Sequence, residues 1–212
     1  MKSIYSYVVK TTSHQDYKYA QQISDEMALS AQKRGVAVAQ RPKELIKEKM
    51  KKGLAVIAIN NDTGEWMGFC YLEVWQHEKM VANSGLIIAE AYRGLGISKE
   101  IKLKMFELSR ERYPGAIILS LSTSPAVIHV NHHLGFTTIS HQRVMTNEWF
   151  CNGSNSWVNY TDLMKNNHGN LPYTAMVYIP DIVNNNKPII KRLKNLKQKI
   201  RLFTNKKMKK VA

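Results

Sequence analysis

Cysteine is scarce in this chain, with two residues, Cys70 and Cys151, among 212. Neither belongs to a CxxC pair, which excludes a disulfide framework and a thiolate-rich metal knuckle. Long apolar runs are missing too. No stretch reaches the ~18–20 residues that cross a bilayer, and residues 1–7 lack the apolar segment of a secretory leader. A reducing cytoplasm is the expected setting. Acidic residues are few, 16 against 31 Lys and Arg, for a net charge of +15. That excess is local. Residues 182–212 hold eleven Lys or Arg and no Asp or Glu, which leaves +4 of the +15 for the rest. A polyanion is therefore expected to meet the tail and not the fold. What remains is ordinary: 44% hydrophobic and 22% charged residues, in a chain long enough to bury a substantial core. The expected division is one domain over residues 1–181 and a basic appendage over 182–212.

Periodicity orders the domain. Residues 4–11 read as a strand, and 16–35 as a helix with Tyr19, Ala20, Ile23, Met27 and Ala31 at helical spacing. Pro42 opens a second helix over 42–52 that Gly53 ends. Residues 54–60 and 67–75 form two strands joined by Asn61-Asp62-Thr63-Gly64, a hairpin turn signal. A third strand spans 79–89. A helix follows over 97–112, with Ile97, Ile101, Met105 and Leu108 on one face and Pro114-Gly115 beyond it. Residues 116–122 form a nearly continuous apolar strand, suited to burial on both faces. A short helix runs from Pro125 to Gly135, and strands over 136–145 and 171–179 complete the series.

One segment carries more information than the others. Tyr92-Arg93-Gly94-Leu95-Gly96-Ile97-Ser98 lies between the strand at 79–89 and the helix at 97–112. A strand feeding a glycine-rich turn and then a helix aims backbone N–H groups and the positive helix end at one point, where a phosphate is the usual occupant. Gly94 and Gly96 allow the sharp turn and a close approach, and Arg93 adds a charged donor at the rim. A second segment starts at Ser124-Pro125, passes through Asn131 and closes on Gly135-Phe136. Together the two segments resemble the motifs of the GNAT superfamily of acyl-CoA-dependent N-acyltransferases. The first resembles its R/Q-x-x-G-x-G/A pyrophosphate loop and the second its N-P-x-x-x-x-x-Y-x-x-x-G-F helix. The likeness is good over roughly residues 50–140.

The resemblance implies an α+β sandwich, a mixed central sheet flanked by helices. It implies acetyl-CoA or a short acyl-CoA as donor, and a primary amine as acceptor, with an amino acid such as glutamate among the candidates. The pantetheine arm would enter a wedge between the strand ending near Ala89 and the strand at 116–122, pairing with backbone groups of Leu86, Ile87 and Ile88. An N–H near Ile88 would polarise the thioester carbonyl. Arg93, Gly94, Leu95, Gly96, Ile97 and Ser98 would hold the pyrophosphate, and Lys99 a further phosphate. An amine with a pKa of about 10 must lose a proton to react. Glu73 is the expected base or water-orienting group, and Glu90, at the mouth of the loop, is expected to be structural. The chain departs from the family pattern at two positions. Asn131 stands where the family carries a tyrosine, its proposed acid, and Ser124 where it carries asparagine. An amide can hydrogen-bond the sulfur or the pantetheine but is no acid, so the source of the thiolate's proton is open.

Other features carry weaker expectations. His129, His132 and His133 share a helix but have no Cys or acidic neighbour to complete a metal set, so no metal is expected. Neither cysteine has the setting of a nucleophile. Trp149, Phe150 and Trp157, with Tyr160, lie in a long connection before the last strand and are candidate acceptor contacts. In the tail, Ile189, Ile190, Leu193, Leu196, Ile200 and Phe203 recur at helical spacing among basic residues. Such a helix suits an anionic membrane, a nucleic acid, an acidic partner or its own domain. A homodimer is compatible with the fold. Two other functions fit the same motifs: a protein or peptide N-acetyltransferase recruited by the tail, and an acyl-CoA-binding regulator of weak activity.

Overall fold

The computed structural model describes residues 6–33, 41–75, 78–140 and 173–180. Among the described residues, seven strands and four α-helices succeed one another as β1 (Tyr7–Thr11), α1 (Ala20–Lys33), α2 (Lys43–Lys51), β2 (Ala55–Asn60), β3 (Trp66–Trp75), β4 (Met80–Ile88), α3 (Ile97–Arg112), β5 (Ile117–Ser122), α4 (Pro125–His133), β6 (Thr137–Ile139) and β7 (Thr174–Tyr178). Each strand and helix expected over residues 4–145 and 171–179 has a counterpart among the described residues, with shifted ends, and the helix expected in the tail lies outside them. The first helix opens as a 3-10 turn over His14–Tyr19, where the Asp16 carboxylate accepts from the Ser13 N–H at 2.8 Å. The last strand starts at Thr174 instead of 171, and the strand at 136–145 is described only over Thr137–Ile139.

The strands form one mixed sheet in the order β1-β2-β3-β4-β5-β7-β6. All neighbours are antiparallel except β4 and β5. Short connections join β2 to β3 and β3 to β4, α1 and α2 lie between β1 and β2, and the parallel pair β4–β5 needs the crossover that α3 supplies. At the β2–β3 turn Gly64 takes φ +70°, and the Asn60 side chain accepts from the Asp62 N–H at 2.8 Å.

Side-chain alternation sends each strand's residues to two layers of helix. On one face, Ala20, Ile23 and Met27 of α1 and Ile46 and Met50 of α2 pack on Ala55, Ile57, Phe69, Tyr71 and Ile87. These α1 residues are the ones its helical spacing marks. On the other face, Ile97, Ile101, Met105 and Leu108 of α3 cover Val56, Ala58, Met67, Cys70 and Leu72. Beside them, Leu103 and Phe106 join Val130 and Leu134 of α4 over Val81, Ile118 and Met176. Burying one Leu- or Phe-sized side chain is worth roughly 1.5–3 kcal/mol, so both faces are firmly clamped. Among the described residues, no helix is long and apolar enough to cross a membrane.

Candidate functional site

The parallel pair β4–β5 is joined over three registers only, Met80 with Ile117, Val81 with Ile118 and Ala82 with Leu119. Beyond that point each strand keeps its outer neighbour, β3 or β7, and loses its inner one. The two strands therefore part like a fork, with its apex at Ala82 and Leu119 and its mouth near Ile88. A bulge in β4 accompanies the parting, because Ser84 faces Tyr71 while Ile87 already faces Phe69. Gly85 sits in the bulge at φ +62°, and a Cβ there would run into the Tyr71 ring.

The glycine-rich turn closes the mouth. Gly94 and Gly96 have φ of +79° and +86°, values that a side chain tolerates poorly, and Gly96 is the N-cap of α3. A Cβ on either would meet nothing within 4 Å, so both glycines border open space. The first-turn N–H groups of Ile97 and Ser98 leave the helix without intrahelical acceptors. This is an anion cradle at the open end of the fork. Lys99 is exposed beside it. Arg93 is turned elsewhere. Its Nη2 lies 2.6 Å from Glu26 of α1, and its Nε donates to the Ile88 carbonyl at 3.2 Å. Glu90 pairs with Lys33 at 2.8 Å, and that lysine holds its carboxyl below the usual range. Both residues tie the mouth to α1, which agrees with a structural role for Glu90. Of the Ile88 backbone groups expected to meet the pantetheine, the carbonyl accepts from Arg93.

Two polar groupings flank the apex, one on each face of the sheet. On the α1–α2 face, Glu73 is buried beside Ala82 and accepts from Lys49 Nζ at 2.6 Å. Next along β3, the Tyr71 hydroxyl accepts from Arg41 Nε at 3.0 Å, and burial pushes that phenol upward. Glu73 is thus placed beside the fork, but as half of an ion pair.

On the α3–α4 face lies a cluster that sequence reasoning missed. Lys102 is 2% exposed, and its Nζ donates to Asn83 Oδ1 at 2.9 Å and Ser120 Oγ at 3.4 Å. Asn131 Nδ2 donates to the same Ser120 Oγ at 3.0 Å, while Asn131 Oδ1 is buried without a partner among the described residues. Asn83 Nδ2 donates to Ser109 Oγ at 3.1 Å. Burial lowers the Lys102 ammonium to about 8. A signal for this was available: Lys102, Phe106 and Ser109 share a stripe of α3, and a lysine four residues before a buried phenylalanine lies on an inward face.

Ser124 caps α4 through its backbone, its carbonyl accepting from Ile128 N–H at 3.0 Å. Leu86 and Ile88 pack partly toward α3, and Ile87 toward α1 and α2. Cys70 is buried, burial pushes its thiol up to about 11, and it suits no nucleophilic role. The His129 and His133 rings meet at a tilt, with centroids 4.2 Å apart, on the exposed side of α4. Among the described residues no three His, Cys, Asp or Glu side chains converge on a metal position. Trp149, Phe150, Trp157, Tyr160 and the whole basic tail lie outside the described residues.

The same architecture recurs in solved structures. An acetyltransferase of the GNAT family from Staphylococcus aureus Mu50 matches with a TM-score of 0.53 and 16% identity, over 82% of this chain and 99% of its own. The chain has the GNAT acetyltransferase fold. A second structure with this GNAT fold is Rv2747 from Mycobacterium tuberculosis, in complex with CoA and NLQ. It matches with a TM-score of 0.56 and 16% identity, over 81% of this chain and 98% of that one. N-acetylglutamate synthase from Neisseria gonorrhoeae, complexed with coenzyme A and N-acetyl-glutamate, matches with a TM-score of 0.54 and 12% identity. That match covers 84% of this chain and 36% of the synthase. No protein-family model matches the sequence, and no curated protein matches it.

Proposed function

We propose that this protein transfers an acetyl or short acyl group from acyl-CoA to a small primary amine, an amino acid such as glutamate being the first candidate. The observation that carries the reading is the fork between β4 and β5 with a glycine cradle at its mouth. A pyrophosphate on residues 93–98 leaves a pantetheine arm one direction to run, down the gap toward Ala82 and Leu119. The open space at Gly94 and Gly96 and the orphaned Asn131 Oδ1 both suit such a guest, the second as acceptor for a donor that none of the described residues supplies. The CoA bound in Rv2747 and in the N-acetylglutamate synthase supports the donor. An amino-acid acceptor has weaker support: Arg41 and Lys49, two cations on the Glu73 face, suit a carboxylate.

Glu73 takes the acceptor's proton in this reading. An incoming carboxylate would draw Lys49 away and free the Glu73 oxygen that Lys49 occupies. Calorimetry with acetyl-CoA tests the donor site. Gly96→Asp puts a side chain and a negative charge in the cradle, and is expected to lower CoA affinity at least tenfold in a folded protein. Unchanged affinity would remove the reading. CoA release with a panel of amino acids and peptides then tests the acceptor, and binding without release under any acceptor would leave an acyl-CoA-binding regulator.

A further inference from the structure

Lys102 is a cation enclosed without a counter-ion. No carboxylate pairs with it among the described residues, and its two acceptors are an amide and a hydroxyl. Such lysines are rare because the charge loses its hydration. Its position is specific. Asn83 and Ser120 are the first residues of β4 and β5 past the last joined pair, and Lys102 Nζ bridges them. The ammonium therefore spans the apex of the fork on the α3–α4 face. Ser120 Oγ already accepts from Lys102 and Asn131, which leaves its own hydrogen for a third group.

We propose that the Lys102 ammonium is the acid that meets the leaving CoA thiolate at the fork apex, held there by Asn83 and Ser120. The proposal rests on the acyl-transfer reading above. A thioester laid in the fork presents its sulfur toward Lys102 and its carbonyl carbon toward the Glu73 face. The amine nitrogen forms the C–N bond from that face, and the C–S bond breaks with its electron pair on sulfur. Lys102 Nζ gives a proton to sulfur, and the amine's proton goes to Glu73. Solvent carries it back to Lys102, so thioester plus amine becomes amide plus thiol with nothing else consumed. Asn131, in the place of the tyrosine expected by resemblance, becomes a positioning residue for Ser120.

The titration of Lys102 fits that task. An ammonium near 8 and a thiol near 8.5 exchange a proton at almost no free-energy difference, the condition for efficient acid catalysis. The groups facing Lys102 are few. From β3 comes the Cys70 thiol, which stays protonated because burial raises it to about 11. Asn83, Ser120 and Asn131 come from β4, β5 and α4, and the Phe136 ring lies 5.9 Å from Nζ. None of these carries a charge below pH 8.

The test uses CoA and desulfo-CoA, which lacks the thiol, titrated calorimetrically into the full chain between about pH 6.5 and 9.5. An ammonium beside the sulfur favours thiolate. The affinity of CoA relative to desulfo-CoA is then expected to rise from pH 6.5 to a maximum near 8, about tenfold for each unit by which the thiol is depressed. It falls beyond that as Lys102 loses its proton. Lys102→Met, confirmed folded by its melting curve, is expected to show no rise. A flat ratio in the wild-type chain below pH 8 overturns the proposal without recourse to any variant. A rise that survives in Lys102→Met overturns it as well. Failure of both ligands to bind would instead strike down the acyl-CoA reading itself.

Discussion

A lysine ammonium enclosed by α3, α4, β4 and β5 forfeits its hydration, and the hydrogen bonds it donates to Asn83 and Ser120 return part of that loss. The remainder is visible in its titration, lowered to about 8 from an ordinary value near 10.5. The folded state holds this proton less tightly than the unfolded chain does. Folding is therefore penalised fully below pH 8, and the penalty disappears as pH rises through 8 toward 10.5. A displacement of that size corresponds to about 3 kcal/mol. Lys102→Met fills similar volume without the charge, and is expected to stabilise the protein by roughly 1–3 kcal/mol at pH 7. The gain should shrink toward zero by pH 10.5, and urea unfolding at several pH values measures it. Cys70 acts in the opposite sense, because its raised thiol favours the folded state at low pH and loses that advantage between about 9 and 11. Cys70 faces Lys102 and its titration changes with the substitution, so variant and wild type are compared below about pH 9, where the thiol is protonated in both. An unstable Lys102→Met protein at pH 7 would mean that the ammonium is a structural necessity. A stabilised one means that the chain tolerates a destabilising group at its candidate site, as functional sites commonly do.

At the scale of elements, the site is a defect in an otherwise regular sheet, and the β4 bulge shapes it. Gly85 permits φ +62° and lets the Tyr71 ring lie against the backbone, with Met27 Cε 3.2 Å from where a Cβ would be. Gly85→Ala is expected to cost about 1–3 kcal/mol by overpacking and to weaken CoA binding as β4 shifts. Gly64→Ala is the control: its φ is +70° but its surroundings are open, so about 1 kcal/mol of backbone strain and unchanged CoA affinity are expected. Equal effects on CoA binding from both would detach the bulge from the site. The same contrast explains what was legible beforehand. The α1 stripe Ala20, Ile23, Met27 and Ala31, the Gly64 turn and the Gly94–Gly96 cradle are local in sequence, so periodicity and turn chemistry revealed them. The fork itself is a non-local pairing that stops after three registers, and no window of sequence records where two strands separate whose partners, such as Met80 and Ile117, are so far apart in the chain. Lys102, Asn83, Ser120 and Asn131 come from four elements. Their convergence depends on that separation, so only Asn131, flagged by its place in a motif, was visible. Glu73, expected as the base from its place on the meander strand, lies beside the fork, but its partner Lys49 is on another element and was not foreseen.

The charge of the whole molecule is divided as its sequence indicates, with eleven of its net fifteen positive charges beyond residue 181. That distribution separates recruitment from chemistry, because the fork and cradle lie entirely within the first 140 residues. Removing residues 187–212 is therefore expected to leave acyl-CoA affinity and small-amine kinetics intact. If the tail engages a polyanion, the intact chain should bind anionic vesicles or RNA while the truncated chain does not. That binding should weaken by about 0.9 log units per phosphate contact for each tenfold rise in salt. The apolar residues Ile189, Ile190, Leu193, Leu196, Ile200 and Phe203 set the competing outcome. Were they to cover the protein's own surface, truncation would lower the melting temperature and promote aggregation, with no salt-sensitive binding in the intact chain. Melting curves of both forms, alongside vesicle and RNA titrations at two salt concentrations, separate these outcomes, since one moves stability and the other moves only binding.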